Sequence, residues 1–400
     1  MVDKVILGLL RIKIMKASHL FSRSGFKYSS PVLAVLAGAC CLGLALQILP
    51  VAASEQGAQA SSSFHDPLQQ PALNQFAAAS EPSLAVTRAG ENLVIVGLRG
   101  LIMISNDDGE TWTQSPSPVA VDLVQVYFQN ELNGWAVGHD SVLLSTTDGG
   151  RSWEVQLDGR SLVTLLKEHY TNSSDLDEFE AESMLREVDL ATSTSSDPDV
   201  MATPFLDVFV DEKGEGYVLG AFGMLLRTTD NGANWEPWTE HTDNDRRMHL
   251  YSIDMQGDEV YLSGEQGLLM RLDREAQRFV QIETPYTGTF FGVRVSDGVL
   301  IAYGLRGNLY ASRNRGDSWQ QVSTQQQTTL VDAVSEGAGH ILLVSERGEL
   351  IRLNTATLET DLIAVPYSGQ VYSSARPEES GALIVAQFSG PRKIDISQFQ

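Results

Sequence analysis

Cysteine is nearly missing from this 400-residue chain: there are two, Cys40 and Cys41, adjacent and inside one apolar stretch. Everything from Ser54 onward is free of thiols, which excludes a disulfide framework, a thiolate metal site and a cysteine nucleophile there. Positive charge is scarce as well. Against 51 acidic side chains stand 28 basic ones, and six of these (Lys4, Arg11, Lys13, Lys16, Arg23, Lys27) lie in the first 30 residues. With the six bases and one acid of residues 1–53 set aside, 22 basic and 50 acidic groups remain, a net charge of −28. Such a surface repels nucleic acid and anionic lipid head groups and keeps a domain in solution. A Gly-rich phosphate loop and a Ser nucleophile elbow are both lacking. His65, His139, His169, His241, His249 and His340 show no paired metal-ligand spacing, so neither a metal nor a cofactor is expected.

Long apolar runs are limited to residues 31–53, which carry no charge and lie just after the basic N-terminus. A basic flank before an apolar run keeps the N-terminus in the cytoplasm and exports the chain beyond the run. Val51-Ala52-Ala53, just past Pro50, has the small-residue form of a signal-peptidase site, while the run also approaches the ~20 residues that span a bilayer. Residues 1–53 are therefore a cleaved signal peptide or an uncleaved anchor, and the rest lies in the periplasm or at the outer face of the inner membrane. Ala37-Gly38-Ala39-Cys40 makes a poor lipoprotein site, because the apolar run continues well past the cysteine.

What is present is a repeat. The phrase Ser105-x-Asp107-x-Gly109-x-Thr111-Trp112 returns as Thr146-x-Asp148-x-Gly150-x-Ser152-Trp153, Thr228-x-Asp230-x-Gly232-x-Asn234-Trp235 and Ser312-x-Asn314-x-Gly316-x-Ser318-Trp319. The tryptophans are 41, 82 and 84 residues apart, one period and then two double periods. Phe279 takes the Trp position of a copy that has lost its Asp. Each unit reads as four short strands, as in Val124-Gln125-Val126-Tyr127-Phe128, Gly134-Trp135-Ala136-Val137-Gly138, Val142-Leu143-Leu144-Ser145-Thr146 and Trp153-Glu154-Val155-Gln156-Leu157. Four strands at this period predict propeller blades. Counting the turns after the second strand gives seven units over residues 83–400, the last with only three strands of its own. An all-β, seven-bladed propeller with four-stranded blades is expected, its ring closed by an N-terminal strand from about residues 64–79 within a linker at 54–82.

Asp and Ser or Thr in the repeated phrase serve backbone N–H groups, Gly takes a positive φ, and Trp is expected to pack into the seam with the next blade. These are Asp-box (BNR) repeats. The phrase from Gly134 to Trp153 resembles the photosystem II assembly and stability factors, a family with relatives in many non-photosynthetic bacteria. The resemblance covers residues from about 83 to 399. It implies a non-catalytic exported scaffold that assists assembly or stability of a membrane-protein complex: photosystem II in a photosynthetic source, where the protein would be lumenal, or an envelope transporter elsewhere. The alternative is a secreted glycoside hydrolase or sialidase-like enzyme, since Asp boxes occur there too. No Arg is followed by Ile-Pro, the sialidase signature.

Residues 157–200 hold 11 acids and 3 bases, and 174–190 begins like a capped, weakly amphipathic helix. This stretch is expected to be an insertion between one blade's last strand and the next blade's first. The turns after strand two share a rim with the links between blades, opposite the Asp boxes. On that rim Arg99, Arg306 and Arg347 stand at one register, where units two, three and four have Asp140, Phe222 and Gln266. Such side chains suit an exposed tight turn beside Gly. The resemblance implies a further use, because family members hold a membrane-protein partner through an arginine-rich patch. Arg99, Arg306 and Arg347, joined by Arg392, are the partner-binding candidates, on a protein expected to be monomeric and to touch membrane only through its N-terminal segment. The acidic insertion could fold over them as a lid.

Overall fold

The computed structural model describes residues 66–74, 78–193, 195, 199–337, 339–365, 369–376 and 381–397. Residues 1–53, read from the sequence as a signal peptide or anchor, lie outside them with both cysteines. Among the described residues, six antiparallel sheets have four strands and a seventh has three, each sheet following chain order from one edge to the other. The blades span residues 83–114, 123–157, 205–237, 250–281, 290–322, 330–363 and 371–395. Seven blades are present, as the period predicts.

The Asp box works as the residue types require. Ser105 Oγ accepts from Gly109 N at 2.9 Å and donates to Asp107 Oδ1 at 2.8 Å, while Asp107 Oδ1 also accepts from Thr111 N at 2.8 Å. Blade five repeats this with an amide: Asn314 Oδ1 accepts from Ser318 N at 3.0 Å. The box glycine is needed twice over. Gly232 has φ 74°, and a Cβ there would lie 2.7 Å from the Trp135 ring of the preceding blade.

The box aromatics also face backwards, not into the seam with the following blade as expected. Trp235 Nε1 donates to Gln156 Oε1 of blade two at 3.2 Å, and Trp153 packs in a cluster with Val94 of blade one. Phe279, fully buried, meets Tyr217 of blade three at 5.3 Å between ring centroids. The reason lies in the chain path. The box sits beside the outer strand, and the next blade is reached from the opposite rim.

Ring closure differs from expectation too. Among the described residues of 64–79 there is no strand; Phe64, His65 and 75–77 lie outside the described residues. Asp66 caps a 3-10 turn at Pro67–Gln69, and a second turn comes at Ala78–Ser80. Pro67 and Pro71 each lack the N–H that a sheet edge uses. The segment instead braces the link between blades one and two, with Ala120 N on Pro67 O at 2.8 Å and Ala72 N on Ser117 O at 3.0 Å. The seam between blades seven and one closes by side-chain packing of Val86, Ile95, Met103, Ala375, Ile384 and Ala386. Ser83 Oγ donates to Gln387 O at 3.1 Å and accepts from Gln387 N at 3.0 Å.

The insertion holds two helices, α1 (Gly159–Asn172) and α2 (Glu178–Ser193). Helix α2 is the expected one. Helix α1, which the sequence reading did not foresee, starts at a capping box of Asp158 with Ser161 and carries Leu162, Leu166 and Tyr170 at i, i+4 and i+8. All three are buried, together with Met184 and Val188 of α2, against Trp135, Leu143, Phe205 and Trp235 of blades two and three.

Candidate partner-binding rim

The tight turns between second and third strands build the rim. In blades one to five two consecutive residues are left-handed, the geometry of a type I′ turn. The first is never Gly: Arg99, Asp140, Phe222, Gln266 and Arg306 have φ between 53° and 58°. A side chain in this region costs roughly 1–2 kcal/mol, so each tip needs support. Arg99 N donates to Asp122 Oδ1 at 2.8 Å, and Phe222 N to His249 Nδ1 at 2.9 Å. Asp122 and His249 each precede the first strand of the following blade, so the tips are held by inter-blade contacts.

Arg99, Arg306 and Arg347 all lie exposed on this rim, on blades one, five and six. The Arg99 guanidinium meets Glu81 Oε2 at 3.2 Å, with side chains 67 % and 29 % exposed, an ion pair too solvated to hold the group against a competing anion. Arg306 and Arg347 make no ion pair among the described residues. Arg347 shares the register but not the turn: only Gly348 is left-handed there, and Arg347 N donates to Ser345 Oγ at 3.2 Å. Blade seven, between six and one, contributes exposed Arg392 at the start of its third strand and Phe388, 42 % exposed. The order of blades thus places an arginine on each of four consecutive blades, five, six, seven and one, in an arc where Glu81 and Glu346 also stand.

The helical insertion does not cap that arc. Arg247, in the link between blades three and four, bonds Glu187 of α2 at 2.8 Å, and His169 of α1 meets Glu240 of the same link at 2.6 Å. The Glu240 bond is the main cause that raises the His169 pKa. These anchors fix the hairpin on blades two to four.

Two rim features escaped sequence reasoning. Arg246 is exposed in the same link and donates to Gln266 Oε1 at 2.7 Å; the chain path puts inter-blade links on this rim, but Arg246 stands outside the tip register that singled out the other arginines. An aromatic run also crosses the blades, from Phe222 (62 % exposed) to His249 at 4.8 Å, Tyr251 at 6.3 Å and Phe291 at 5.5 Å. Burial lowers the His249 pKa, and Glu265 pulls it the other way. Phe222 stood at the tip register, but only the fold brings the other rings to it.

The central channel is lined by first strands, whose inner edges carry N–H groups without strand partners. Carboxylates of one blade serve the next: Asp207 accepts from Ile253 N at 3.0 Å, Asp254 from Val295 N at 2.6 Å and Asp332 from Ser374 N at 2.6 Å. Arg294 links Asp254, at 3.3 Å, to Ala333 O, at 2.9 Å. These charges tie the ring together.

A family model described as photosynthesis system II assembly factor YCF48 matches residues 83–163 and 193–365. This chain belongs to the YCF48 family. It is similar to the photosystem II assembly lipoprotein Ycf48 of Synechococcus sp. (strain CC9902), 26 % identical over 159 residues, which are 38 % of this chain and 46 % of that protein. The namesake in Synechococcus sp. (strain CC9605) is 30 % identical over 203 residues, 40 % of this chain and 60 % of the relative. The Parasynechococcus marenigrum (strain WH8102) protein is 26 % identical over 233 residues, 46 % and 70 % of the two. The chain thus spans from about half to about two-thirds of these Ycf48 relatives. Among solved structures, YCF48 bound to D1 peptide superposes with a TM-score of 0.55 at 15 % identity, covering 83 % of this chain and 99 % of that one. YCF48 from Cyanidioschyzon merolae gives 0.55 at 13 %, covering 80 % and 97 %. These two likenesses establish the YCF48 propeller fold. The family match omits residues 164–192, which hold most of the helical hairpin.

Proposed function

We propose that this protein is a non-catalytic, exported scaffold that assists the assembly or stability of a membrane-protein complex, and that it grips an acidic or carboxylate-bearing segment of that complex through Arg99, Arg306 and Arg347. The observation that carries this reading is the arginine arc itself: exposed arginines on blades five, six and one of a molecule whose exported part has a net charge of −28. Arg306 stands exposed at a left-handed tip with no ion pair among the described residues, and Arg99's pair with Glu81 is solvent-screened, so these guanidiniums are open to a carboxylate presented to their planar donor sets. The relatives' names support the reading, since they are photosystem II assembly lipoproteins and one solved YCF48 is bound to a D1 peptide. In a photosynthetic source the client is photosystem II; in other bacteria it is an envelope transporter or similar assembly.

The protein acts as a monomer outside the inner membrane, attached by its N-terminal segment or released from it. Fractionation with and without membrane washing, together with radiolabelled fatty acid, separates a peptide anchor, a lipid on Cys40 and a soluble form. The rim reading is tested by affinity capture from solubilised membranes. Arg99→Glu/Arg306→Glu/Arg347→Glu is expected to lose the membrane-protein partner while keeping the wild-type melting curve, and undiminished capture would refute the assignment. Turnover of fluorogenic glycosides, lost on replacement of one carboxylate, would favour the hydrolase alternative.

A further inference from the structure

Blade three departs from the other left-handed tips. Where blades one, two, four and five carry Arg99, Asp140, Gln266 and Arg306, it sets the exposed ring of Phe222 at φ 58°, a region that disfavours a bulky side chain. The bond from Phe222 N to His249 Nδ1 at 2.9 Å holds it there. An Nδ1 that accepts a hydrogen bond carries no proton, so the ring hydrogen of neutral His249 sits on Nε2. That atom is buried and has no hydrogen-bond partner among the described residues. Glu265 Oε2 lies 4.0 Å from Nδ1 and is fixed beside the ring by accepting from His249 N at 3.0 Å. Both ends of the turn are held separately, Ala221 N on Pro204 O at 3.1 Å and Met224 N on Ala221 O at 3.2 Å.

We infer that His249 and Phe222 form a proton-operated latch on the rim: neutral Nδ1 holds the Phe222 tip, whereas a proton on Nδ1 expels the Phe222 N–H, turns to Glu265 and frees the tip. One nitrogen cannot serve both partners, because a protonated Nδ1 is a donor facing a donor. The anchored turn ends confine the movement to Phe222 and Gly223. Glu265 is the charged group that faces the imidazole. Tyr251, at 6.3 Å between ring centroids, is kept protonated by burial, which raises its pKa. Arg246 and Arg247 of the preceding link are turned to Gln266 and Glu187, and Asp245 stands exposed beside them. The Ala221–Gly223 turn and Phe291 bring no titratable group. Burial holds the His249 pKa below 6.5 against the pull of Glu265. The latch is therefore fully closed above about 6.5 and opens as pH falls through the lower folded value. Blade three lies outside the arginine arc, so the latch holds whatever that arc binds.

The test is an NMR pH titration of the 15N-labelled full-length protein. At pH 8 the His249 imidazole is expected in the Nε2–H form. As pH falls below 6.5, Nδ1 should gain its proton and the Phe222 amide resonance should shift with the same midpoint. Protection of that amide, with the intrinsic exchange rate divided out, should drop about fivefold, as for one lost hydrogen bond. Glu265→Gln is expected to lower the midpoint by roughly 1 unit. His249→Gln should leave the Phe222 amide unmoved from pH 8 to 5, which separates the latch from titration of His169 or His241. A proton on Nδ1 at pH 8 would overturn the inference. So would a Phe222 amide that stays put while His249 titrates, one that still moves in His249→Gln, or a His249 that gains no proton down to pH 4. If the variants fail to fold, the wild-type tautomer and the shared midpoint decide alone.

Discussion

Single residues carry the turns of this propeller, and their chemistry is measurable one group at a time. Asp107 receives hydrogen bonds from the Thr111 hydroxyl, then from Thr111 N and the Ser105 hydroxyl, which together hold its pKa down to about 2. Because the folded value is depressed, this stabilisation is fully present above the ordinary carboxylate range near 3.8 and is lost as pH falls through about 2. A carboxyl-carbon NMR titration of Asp107 is expected to have its midpoint near 2; one near 3.8 would mean the box is open in solution. The amide of Asn314 makes the same backbone bond in blade five, so Asp107→Asn should retain the turn and remove the acid limb. A second residue-scale comparison separates sterics from backbone strain. Gly257→Ala, with φ 62° and nothing within 4 Å of the new Cβ, is expected to cost roughly 1 kcal/mol. Gly232→Ala adds the 2.7 Å approach to Trp135 and should cost clearly more in urea unfolding.

At the scale of elements, the hairpin is the piece most open to adjustment by pH. The His169 to Glu240 bond, with Tyr170 Oη also donating to Glu240 at 3.1 Å, fastens α1 to the link between blades three and four. The histidine's folded pKa is raised above 6.5 by that bond. Its contribution is therefore fully present below about pH 6.5 and is lost as pH rises through the folded value. Amide protection factors in α1 and α2, with the intrinsic base-catalysed rate divided out, should fall across that window in wild type. In Glu240→Gln they should change little with pH; wild-type protection factors constant from pH 6 to 9 would contradict the anchor. Legibility differs between the helices for a physical reason. The acidic run made α2 visible, whereas α1 has fewer acids and its Leu162, Leu166 and Tyr170 spacing is short enough to read as loop beside β-blades.

For the whole molecule, stability rests on the seam where the two ends of the ring meet. Ser83 and Gln387 exchange two hydrogen bonds there, with Ser83 fully buried. Ser83→Ala leaves the Gln387 N–H and C=O without this partner and is expected to cost about 1–3 kcal/mol, read as a lower urea midpoint with an unchanged slope. No loss would mean that the seam opens and closes as a unit independent of this pair. Among the described residues the seventh sheet has three strands, and its last strand carries Arg392, Lys393 and Asp395, with Lys393 tied to Glu110 at 2.8 Å, charges that disfavour edge-to-edge pairing with another chain.

The amino-acid sequence alone determined the blade count, the Asp-box turns, the insertion and the register of Arg99, Arg306 and Arg347, because each is written locally in a repeat of fixed period. Tertiary structure decided what depends on contacts between distant segments. It set the backward lean of Trp153 and Trp235, the closure by packing in place of an added strand, the aromatic run from Phe222 to Phe291 and the docking of the hairpin on blades two to four. A period specifies where each sheet begins and ends. Which neighbour a side chain meets across a seam is decided only once the ring is bent and closed.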